Sequence, residues 1–209
     1  MTISAPADPG RRQRNKADKW DRILLAATNL FNERGFAATT TTEVAKAAGI
    51  GTGTLFLYVR TKEELFVEVF RTDVGRAWDD AFAGVDPEAS LLDQLCGAFF
   101  TVIEHHDHNP GLAKAFLTEL HLLPDDMRSD ARVFMRGYMA RLQQFLVDAQ
   151  THRRLDDRVS VAVLSNSLFA VYQWHLQLHV AGHSTRRECL DDLRAAFELQ
   201  VEHLSLPRP

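Results

Sequence analysis

Two short helix signals, separated by a glycine turn, lie between Thr39 and Leu65, and the signal for a longer helix follows at once. Thr40 can cap a helix whose third residue is Glu43, and Gly49 can end that helix. The turn Gly49-Ile50-Gly51 then leads into a second short helix over residues 52–58. Two short helices at this spacing predict a helix-turn-helix element, whose second helix enters the major groove of DNA.

A third helix pattern precedes this element and ends at Gly35. Its apolar positions, at helical spacing, are Trp20, Ile23, Leu24, Ala27, Leu30 and Phe31. Three helices can therefore share one small core. The region resembles the DNA-binding domain of the TetR family of repressors, and the resemblance covers about the first third of the chain. The residues that carry it are Ile23 to Phe31, Arg34-Gly35-Phe36, Thr39-Thr40, Val44-Ala45, Ala48-Gly49-Ile50, Gly53-Thr54-Leu55-Phe56, Tyr58 and Lys62-Glu63-Glu64-Leu65.

The resemblance implies which positions face DNA. They are Thr40, Thr41, Gly51, Thr52, Gly53, Thr54, Phe56, Leu57, Tyr58 and Lys62. Lys62 is expected to meet a backbone phosphate. Where the family usually has Ser, Lys, a hydroxylated aromatic residue and His, this chain has Gly51, Thr52, Phe56 and Leu57. Because a cap, a charge and a phenolic hydroxyl are lost, we expect affinity to rest more on the other positions, on backbone amides and on an N-terminal arm.

Charge is distributed unevenly along the chain. Residues 1–62 carry ten Lys or Arg against five Asp or Glu, whereas the remaining residues carry 14 against 23. A basic head on an acidic body favours phosphate binding by one end, although a solvated charged face would give the same count. Residues 1–17 are predicted to be a mobile basic arm that follows DNA phosphates, or else an unstructured end with only general attraction to DNA.

The rest of the chain shows helix after helix and no strand alternation. Body helices are predicted over residues 62–83, 88–107, 111–122, 125–151, 157–181 and 185–204, which makes nine in all. We therefore expect an all-α, nine-helix, TetR-like fold. Its parts are the arm at 1–17, a three-helix DNA-binding domain at 18–64 and a helical ligand-binding and dimerisation domain at 65–209. Neither a secretory signal nor a transmembrane span is evident, so a soluble, cytoplasmic protein is expected.

The last two predicted helices resemble the paired helices through which TetR-like proteins form two-fold dimers. The helix over 157–181 is apolar on most of its circumference, so both of its sides need cover. The last helix carries an apolar seam at spacings of three and four. The seam consists of Leu190, Leu193, Phe197, Val201 and Leu204. Alternatively, both helices close only the core of their own monomer.

The body is rich in aromatic residues, most of which a helical core needs for packing. The resemblance implies that a subset lines a cavity for a small apolar or aromatic effector. The candidates are Phe99, Ile103, Phe116, Glu119, Phe134, Tyr138, Asn166, Phe169, Gln173 and Trp174. No cofactor is expected. Two cysteines far apart in sequence, Cys96 and Cys189, indicate buried apolar residues rather than a disulfide framework.

Two histidine groups are candidate metal sites, and the sequence leaves open whether either binds a metal ion, although neither shows a complete set of ligands. His105, His106 and His108 lie at a helix end, where adjacent side chains point apart, and His175 with His179 has no third ligand. Paired catalytic carboxylates, a nucleophile elbow and a phosphate loop are also not found. The resemblance to the TetR family therefore implies a ligand-responsive regulator, in that family most often a repressor, which binds a palindromic double-stranded DNA operator as a homodimer. The alternatives are a non-specific DNA-binding protein and, least favoured, an enzyme with a helical head.

Overall fold

The computed structural model describes residues 9–204, and in that range the chain forms nine α-helices without a strand. They are α1 (Pro9–Arg34), α2 (Thr41–Ala47), α3 (Thr52–Leu55), α4 (Lys62–Ala83), α5 (Leu91–His108), α6 (Pro110–Glu119), α7 (Asp125–Thr151), α8 (Val161–Val180) and α9 (Arg186–Val201). The all-α, nine-helix prediction is confirmed. Each body helix begins and ends within a few residues of its predicted bounds.

The first helix begins earlier than expected. Residues 9–17 were predicted to belong to a mobile arm, but they form the first part of α1, while residues 1–8 lie outside the described residues. Pro9 is tolerated in a first helical turn, where its missing N–H would have had no partner. The Arg, Gln and Lys residues that follow are good helix formers, so a helix nucleated by the apolar stripe extends backward through them.

The head and the body share one continuous core, and α4 joins them. Phe66 on α4 packs against Phe31 of α1, with ring centroids 5.6 Å apart, and against Phe36, 4.6 Å away. On its other side Phe66 contacts Phe116 of α6 at 5.4 Å, and Phe116 in turn contacts Phe70 of α4 at 4.8 Å. An unbroken row of aromatic rings therefore runs from the head into the body.

A second junction joins α6 directly to α1. The side-chain carbonyl Oδ1 of Asn32 accepts hydrogen bonds from the backbone amides of Gly111 at 3.0 Å and Leu112 at 3.3 Å. The helices approach so closely that a Cβ at Gly111 would lie 2.0 Å from the backbone oxygen of Asn32. Any side chain at position 111 would clash with the backbone of Asn32, so glycine is needed for α6 to pack this closely on α1.

The last helix turns its apolar seam inward, in contrast to the prediction for a dimer interface. Leu193, Phe197 and Val201 are fully buried within the monomer, and Phe197 packs edge-on against Phe99 of α5 at 4.9 Å. Leu190 and Leu204 are half-buried at the margins of the same core. The seam therefore packs into the core of its own monomer, where α9 contacts α5 and α8.

Across the described residues, no helix combines the length and the apolar character that crossing a membrane would require. Cys96 and Cys189 are both buried, as expected, and neither is in a disulfide bond. Burial raises the pKa of each thiol to about 11, so both remain protonated.

Candidate nucleic-acid interface and effector cavity

The turn between α2 and α3 has the geometry that a helix-turn-helix needs. Gly49 adopts a left-handed conformation with φ of +68°, which glycine tolerates without a Cβ penalty. The amide of Ile50 donates to Ala45 O at 3.0 Å and the amide of Gly49 donates to Lys46 O at 3.1 Å, a Schellman ending for α2. α2 begins at a capping box in which Glu43 N donates to Thr40 Oγ1 and Thr40 N donates to Glu43 Oε2.

The cap also sets the charge of Glu43. Hydrogen bonds from the Thr40 hydroxyl and amide hold the pKa of the Glu43 carboxyl below its usual value. The carboxylate therefore stays ionised at neutral pH, where it also pairs with Arg34 at 3.1 Å. The Thr40 hydroxyl, predicted to face DNA, is engaged in this cap, although the residue itself is exposed.

One side of α3 packs on the core, and the opposite side is exposed to solvent. Leu55 and Val59 are buried, and hydrogen bonds from the amides of Leu57 and Tyr58 extend α3 by one tighter turn. The outward surface, which we call the α3 face, is formed by the exposed Gly51, Gly53, Phe56 and Leu57 together with the half-buried Thr52, Thr54 and Tyr58. Leu57 exposes 81% of its surface, although folding normally buries such a side chain. The α3 face therefore presents methyl, hydroxyl and backbone groups to a partner.

Tyr58 is held in place by the first helix. Its ring stacks on Trp20 with centroids 5.8 Å apart and planes 4° apart, and its hydroxyl donates to Lys16 O at 3.4 Å. The N-terminal half of α1 therefore lies beside the α3 face, where exposed Lys16 and Lys19 add positive charge. Sequence reasoning did not anticipate this contact, because residues 9–17 were expected to be mobile.

Lys62 occupies a different position from the one predicted. Its ammonium donates to Phe36 O at 2.9 Å, to Thr39 O at 3.0 Å and to Ala37 O at 3.4 Å, and lies 4.3 Å from the centroid of the Phe36 ring. An ammonium has three donors, so the loop between α1 and α2 takes all of them. Lys62 therefore ties that loop to the start of α4, and we no longer assign it a phosphate contact.

The start of α4 has half of a capping box. The amide of Glu64 donates to Thr61 Oγ1 at 3.1 Å, but the Glu64 carboxylate accepts from the backbone amide of Arg60 at 2.6 Å instead of from Thr61. The start of α4 is still capped, and Glu64 binds both the backbone amide and the side chain of Arg60.

A cavity of about 520 Å³ opens within the body, a size typical of small-molecule sites. Its buried wall comes mainly from α4, α6 and α8, whereas its solvent-exposed side comes from α7 and from the connection before it. The buried wall consists of Phe70, Val74, Trp78, His106, Ala113, Phe116, Ala131, Tyr172 and Leu176. The cavity is therefore aromatic inside and has one open side.

Three of the predicted effector residues line this cavity, namely Phe116, Phe169 and Gln173. Phe134 and Tyr138 do not line it but pack behind its wall, with Phe134 against Phe70 at 5.2 Å. The other predicted residues lie elsewhere, so those assignments are corrected. Phe99 and Ile103 are fully buried in the core, Glu119 is half-buried away from the cavity, and Asn166 and Trp174 are exposed on the outer side of α8.

The open side of the cavity carries charges that the sequence analysis did not single out. Arg128 and Arg132 lie one turn apart on α7, with His121 and Asp125 before them. Arg128 forms an ion pair with Asp125, and its buried Nε has no hydrogen-bond partner among the described residues. Arg132 Nε donates to Arg128 O at 3.3 Å. We call Arg128 and Arg132 the cationic rim. Their spacing of four was visible in the sequence, but which face of α7 met the cavity was not.

Large apolar side chains are exposed on α8 and α9. Val163 exposes 68% of its surface, Trp174 59% and Leu199 80%. On α8, the exposed Ser167 and Ala170 lie between Val163 and Trp174 at helical spacing, so the four residues share one face. Exposed apolar surface is often found where another molecule binds. We call these exposed residues of α8 and α9 the outer stripe.

Two of the histidines, His105 on α5 and His179 on α8, contact carboxylates. His105 Nε2 lies 2.8 Å from Asp73 Oδ2, and the Asp73 carboxylate raises the pKa of His105. His179 Nε2 lies 2.6 Å from Asp107 Oδ1. Within residues 9–204, no group of three or more His, Cys, Asp or Glu side chains is placed to hold a metal ion.

Comparison with known proteins relates the head to one family. Residues 23–69 match the family model of bacterial regulatory proteins of the tetR family. The HTH-type transcriptional regulator YhgD of Bacillus subtilis, itself uncharacterised, is 36% identical over 87 residues, which cover 42% of this chain and 46% of YhgD. The HTH-type transcriptional repressor KstR2 of Mycolicibacterium smegmatis is 28% identical over 125 residues, which cover 60% of this chain and 58% of KstR2. The chain thus spans about half the length of these relatives.

The likeness to solved structures extends over the body. The transcriptional regulator FadR of Bacillus subtilis, solved in complex with stearoyl-CoA, has a TM-score of 0.74 at 18% identity. The match covers 88% of this chain and 99% of that one. At this identity the likeness concerns the fold. The relatives named above are regulators or a repressor, and none of them is named as an enzyme.

Proposed function

We propose that the chain, whose residues 23–69 match the model of the tetR family of bacterial regulatory proteins, is a sequence-specific transcriptional regulator, a repressor that a small-molecule effector releases from its operator. The observation that carries this proposal is the α3 face. It is a short helix on a Schellman turn, anchored by Leu55 and Val59, whose exposed Phe56 and Leu57 are not part of the core. Such a helix is shaped for the major groove.

A homodimer is part of the proposal, because one short helix contacts too few base pairs to specify an operator. The outer stripe supports it. Covering Val163, Trp174 and Leu199 with a second copy would remove an apolar surface from water, at roughly 25 cal/mol for each Å² buried. The proposed interface replaces the predicted seam of α9 with the opposite, exposed face of α8 and α9, and a two-fold dimer through it would place two α3 faces on successive major grooves.

The effector is proposed to bind in the 520 Å³ cavity. Its aromatic wall suits an apolar or aromatic body, and the cationic rim suits an anionic group at the open side. Stearoyl-CoA, which the structurally similar FadR binds, has this division into an apolar tail and an anionic part. We therefore propose an amphiphilic anion as the effector of this chain.

Two contacts can carry the effect of binding to the head. Phe116 lines the cavity and packs on Phe66, which packs on Phe31 of α1. α6 also holds Asn32 of α1 through the amide of Gly111. If effector binding favours a different position of α6, the two heads change their spacing. A coupling of about 1–3 kcal/mol would lower operator affinity some five- to 150-fold.

The experiment that tests the function is a competition for DNA. A duplex selected from a random library by the purified protein is labelled and titrated, at fixed salt, with unlabelled genomic DNA as competitor. A regulator should retain the selected site against roughly a thousandfold excess of competing sites. Equal affinity for both DNAs would instead identify a non-specific DNA-binding protein, and binding to neither would remove the α3 face from any role in DNA recognition.

A further inference from the structure

The imidazole of His106 stands on the buried wall of the cavity without a hydrogen-bond partner among the described residues. α5 turns Leu95, Phe99 and Val102 into the core at helical spacing, and His106 occupies the next position of that series. His106 is 6% exposed and is, among the described residues, the one member of α5 that lines the cavity. His106 therefore occupies a position on α5 where the pattern predicts an apolar side chain.

The neighbouring histidines differ from His106 in this respect. His105 pairs with Asp73, and His108 Nδ1 lies 2.7 Å from Glu104 O. Within residues 9–204, the ring nitrogens of His106 make no hydrogen bond, and its aromatic contact is with His105 at 5.9 Å. Burial lowers the pKa of His106 to about 4, so the ring is neutral at neutral pH and offers one donor and one acceptor. His106 is not among the residues whose unpaired polar atoms are closed off from solvent, so its ring nitrogens can bond to water or to a ligand atom in the cavity.

His106 lies on the buried wall of the cavity, whereas the cationic rim lies at its open side. The other buried residues of the wall are apolar, apart from Tyr172, whose hydroxyl also lacks a hydrogen bond within the described residues. Arg132, in contrast, is exposed on the open side. The cavity thus has polar groups on its buried wall, charges at its open side and aromatic surface between them.

We propose that His106 hydrogen-bonds an oxygen on the buried end of the effector, so that the effector is an amphiphilic anion with a hydroxyl or carbonyl group remote from its anionic group. The inference rests on the proposed effector site and names the chemistry that the site selects. A plain hydrocarbon end would displace any water from His106 and leave the ring unsatisfied, whereas an oxygen would replace that water. His106 is then a residue that determines specificity.

Paired ligands test this directly. Binding of dodecanoate and of its ω-hydroxy derivative is measured by calorimetry on the full chain, together with a fused-ring carboxylate with and without a hydroxyl at its far end. We expect the hydroxylated member of at least one pair to bind about tenfold more tightly. If the plain member binds equally or better in both pairs, or if neither scaffold binds, the inference is wrong.

Variants identify the residue responsible. His106→Phe keeps a ring of similar size and should bring the two members of the preferred pair to equal affinity, whereas His106→Gln, which keeps a donor and an acceptor, should retain part of the preference. His108→Phe, an exposed change on the same helix, is the matched control and should leave the preference intact. A preference that persists in His106→Phe would assign it to another group. Operator binding without ligand is measured separately, so failure of the proposed function is distinguished from failure of this inference.

Discussion

Replacing Gly111 with Ala tests whether α6 holds the head as closely as the structure indicates. A Cβ at this position would lie 2.0 Å from Asn32 O, whereas contacts under 3.0 Å essentially never occur for real Cβ atoms. The obstacle is backbone, so α6 must move away from α1. That movement strains or breaks the hydrogen bonds from the amides of Gly111 and Leu112 to Asn32.

The cost can be estimated from these contacts. Overpacking costs roughly 1–3 kcal/mol and each lost hydrogen bond roughly 0.5–1.5 kcal/mol, so we expect unfolding free energy to fall by about 3 kcal/mol. For a chain of 209 residues this lowers Tm by roughly 6–12 °C. Because the same junction positions the head, affinity for a selected operator should fall as well.

Gly137 supplies the matched control for this change. It lies inside α7, and a Cβ there would meet no atom within 4 Å. Gly137→Ala should therefore stabilise the protein by up to about 1 kcal/mol, through the better helix propensity of Ala. Thermal unfolding followed by circular dichroism compares the two variants with wild type. If Gly111→Ala is as stable as Gly137→Ala, the close approach of α6 to α1 does not exist in solution.

Three further changes follow from the structure. Lys62→Met should lower the unfolding free energy by roughly 1–3 kcal/mol, because three hydrogen bonds are lost. It should leave the salt dependence of DNA affinity unchanged. If the slope of log affinity against log salt concentration falls by about one, Lys62 is a phosphate contact after all. Val163→Glu combined with Trp174→Glu should give monomers in sedimentation velocity, and an intact dimer would exclude the outer stripe as the interface. His106 has a folded pKa of about 4 against 6.5 for the free group, so its contribution to stability is complete above pH 6.5 and is lost as the pH falls toward 4. Denaturant unfolding from pH 7 to 4 should show a smaller acid loss for His106→Gln, and identical pH dependence would mean that His106 is not buried.

The fold was largely predictable because its signals are local. The Thr40–Glu43 cap, Gly35 and Gly49 at positive φ, and the break at Asn109-Pro110 each act within a few residues, and helices begin or end where they lie. The start of α1 was missed because polar residues give no apolar period, although their helix propensity lets an existing helix extend through them.

The sites were less predictable because they depend on contacts between distant segments. An apolar stripe shows that one face of α9 is covered, but not by what, and Leu193 and Phe197 proved to be covered by the monomer itself. An aromatic side chain in an apolar helix predicts a buried position, but Trp174 is exposed. The burial of His106 was predictable, because it continues the helical spacing of Leu95, Phe99 and Val102 on α5. The histidines at this helix end were interpreted only as possible metal ligands.

The central claim, that the α3 face binds DNA, is tested most directly by Leu57→Glu on a selected operator. Leu57 is 81% exposed, so this change should leave Tm unaltered while placing a negative charge against the phosphates. Leu122→Glu, in the body at 77% exposure, is the control. We predict that fluorescence anisotropy will show Leu57→Glu binding the operator at least about tenfold more weakly and Leu122→Glu binding like wild type. Operator affinity that is the same for Leu57→Glu and wild type would contradict the claim.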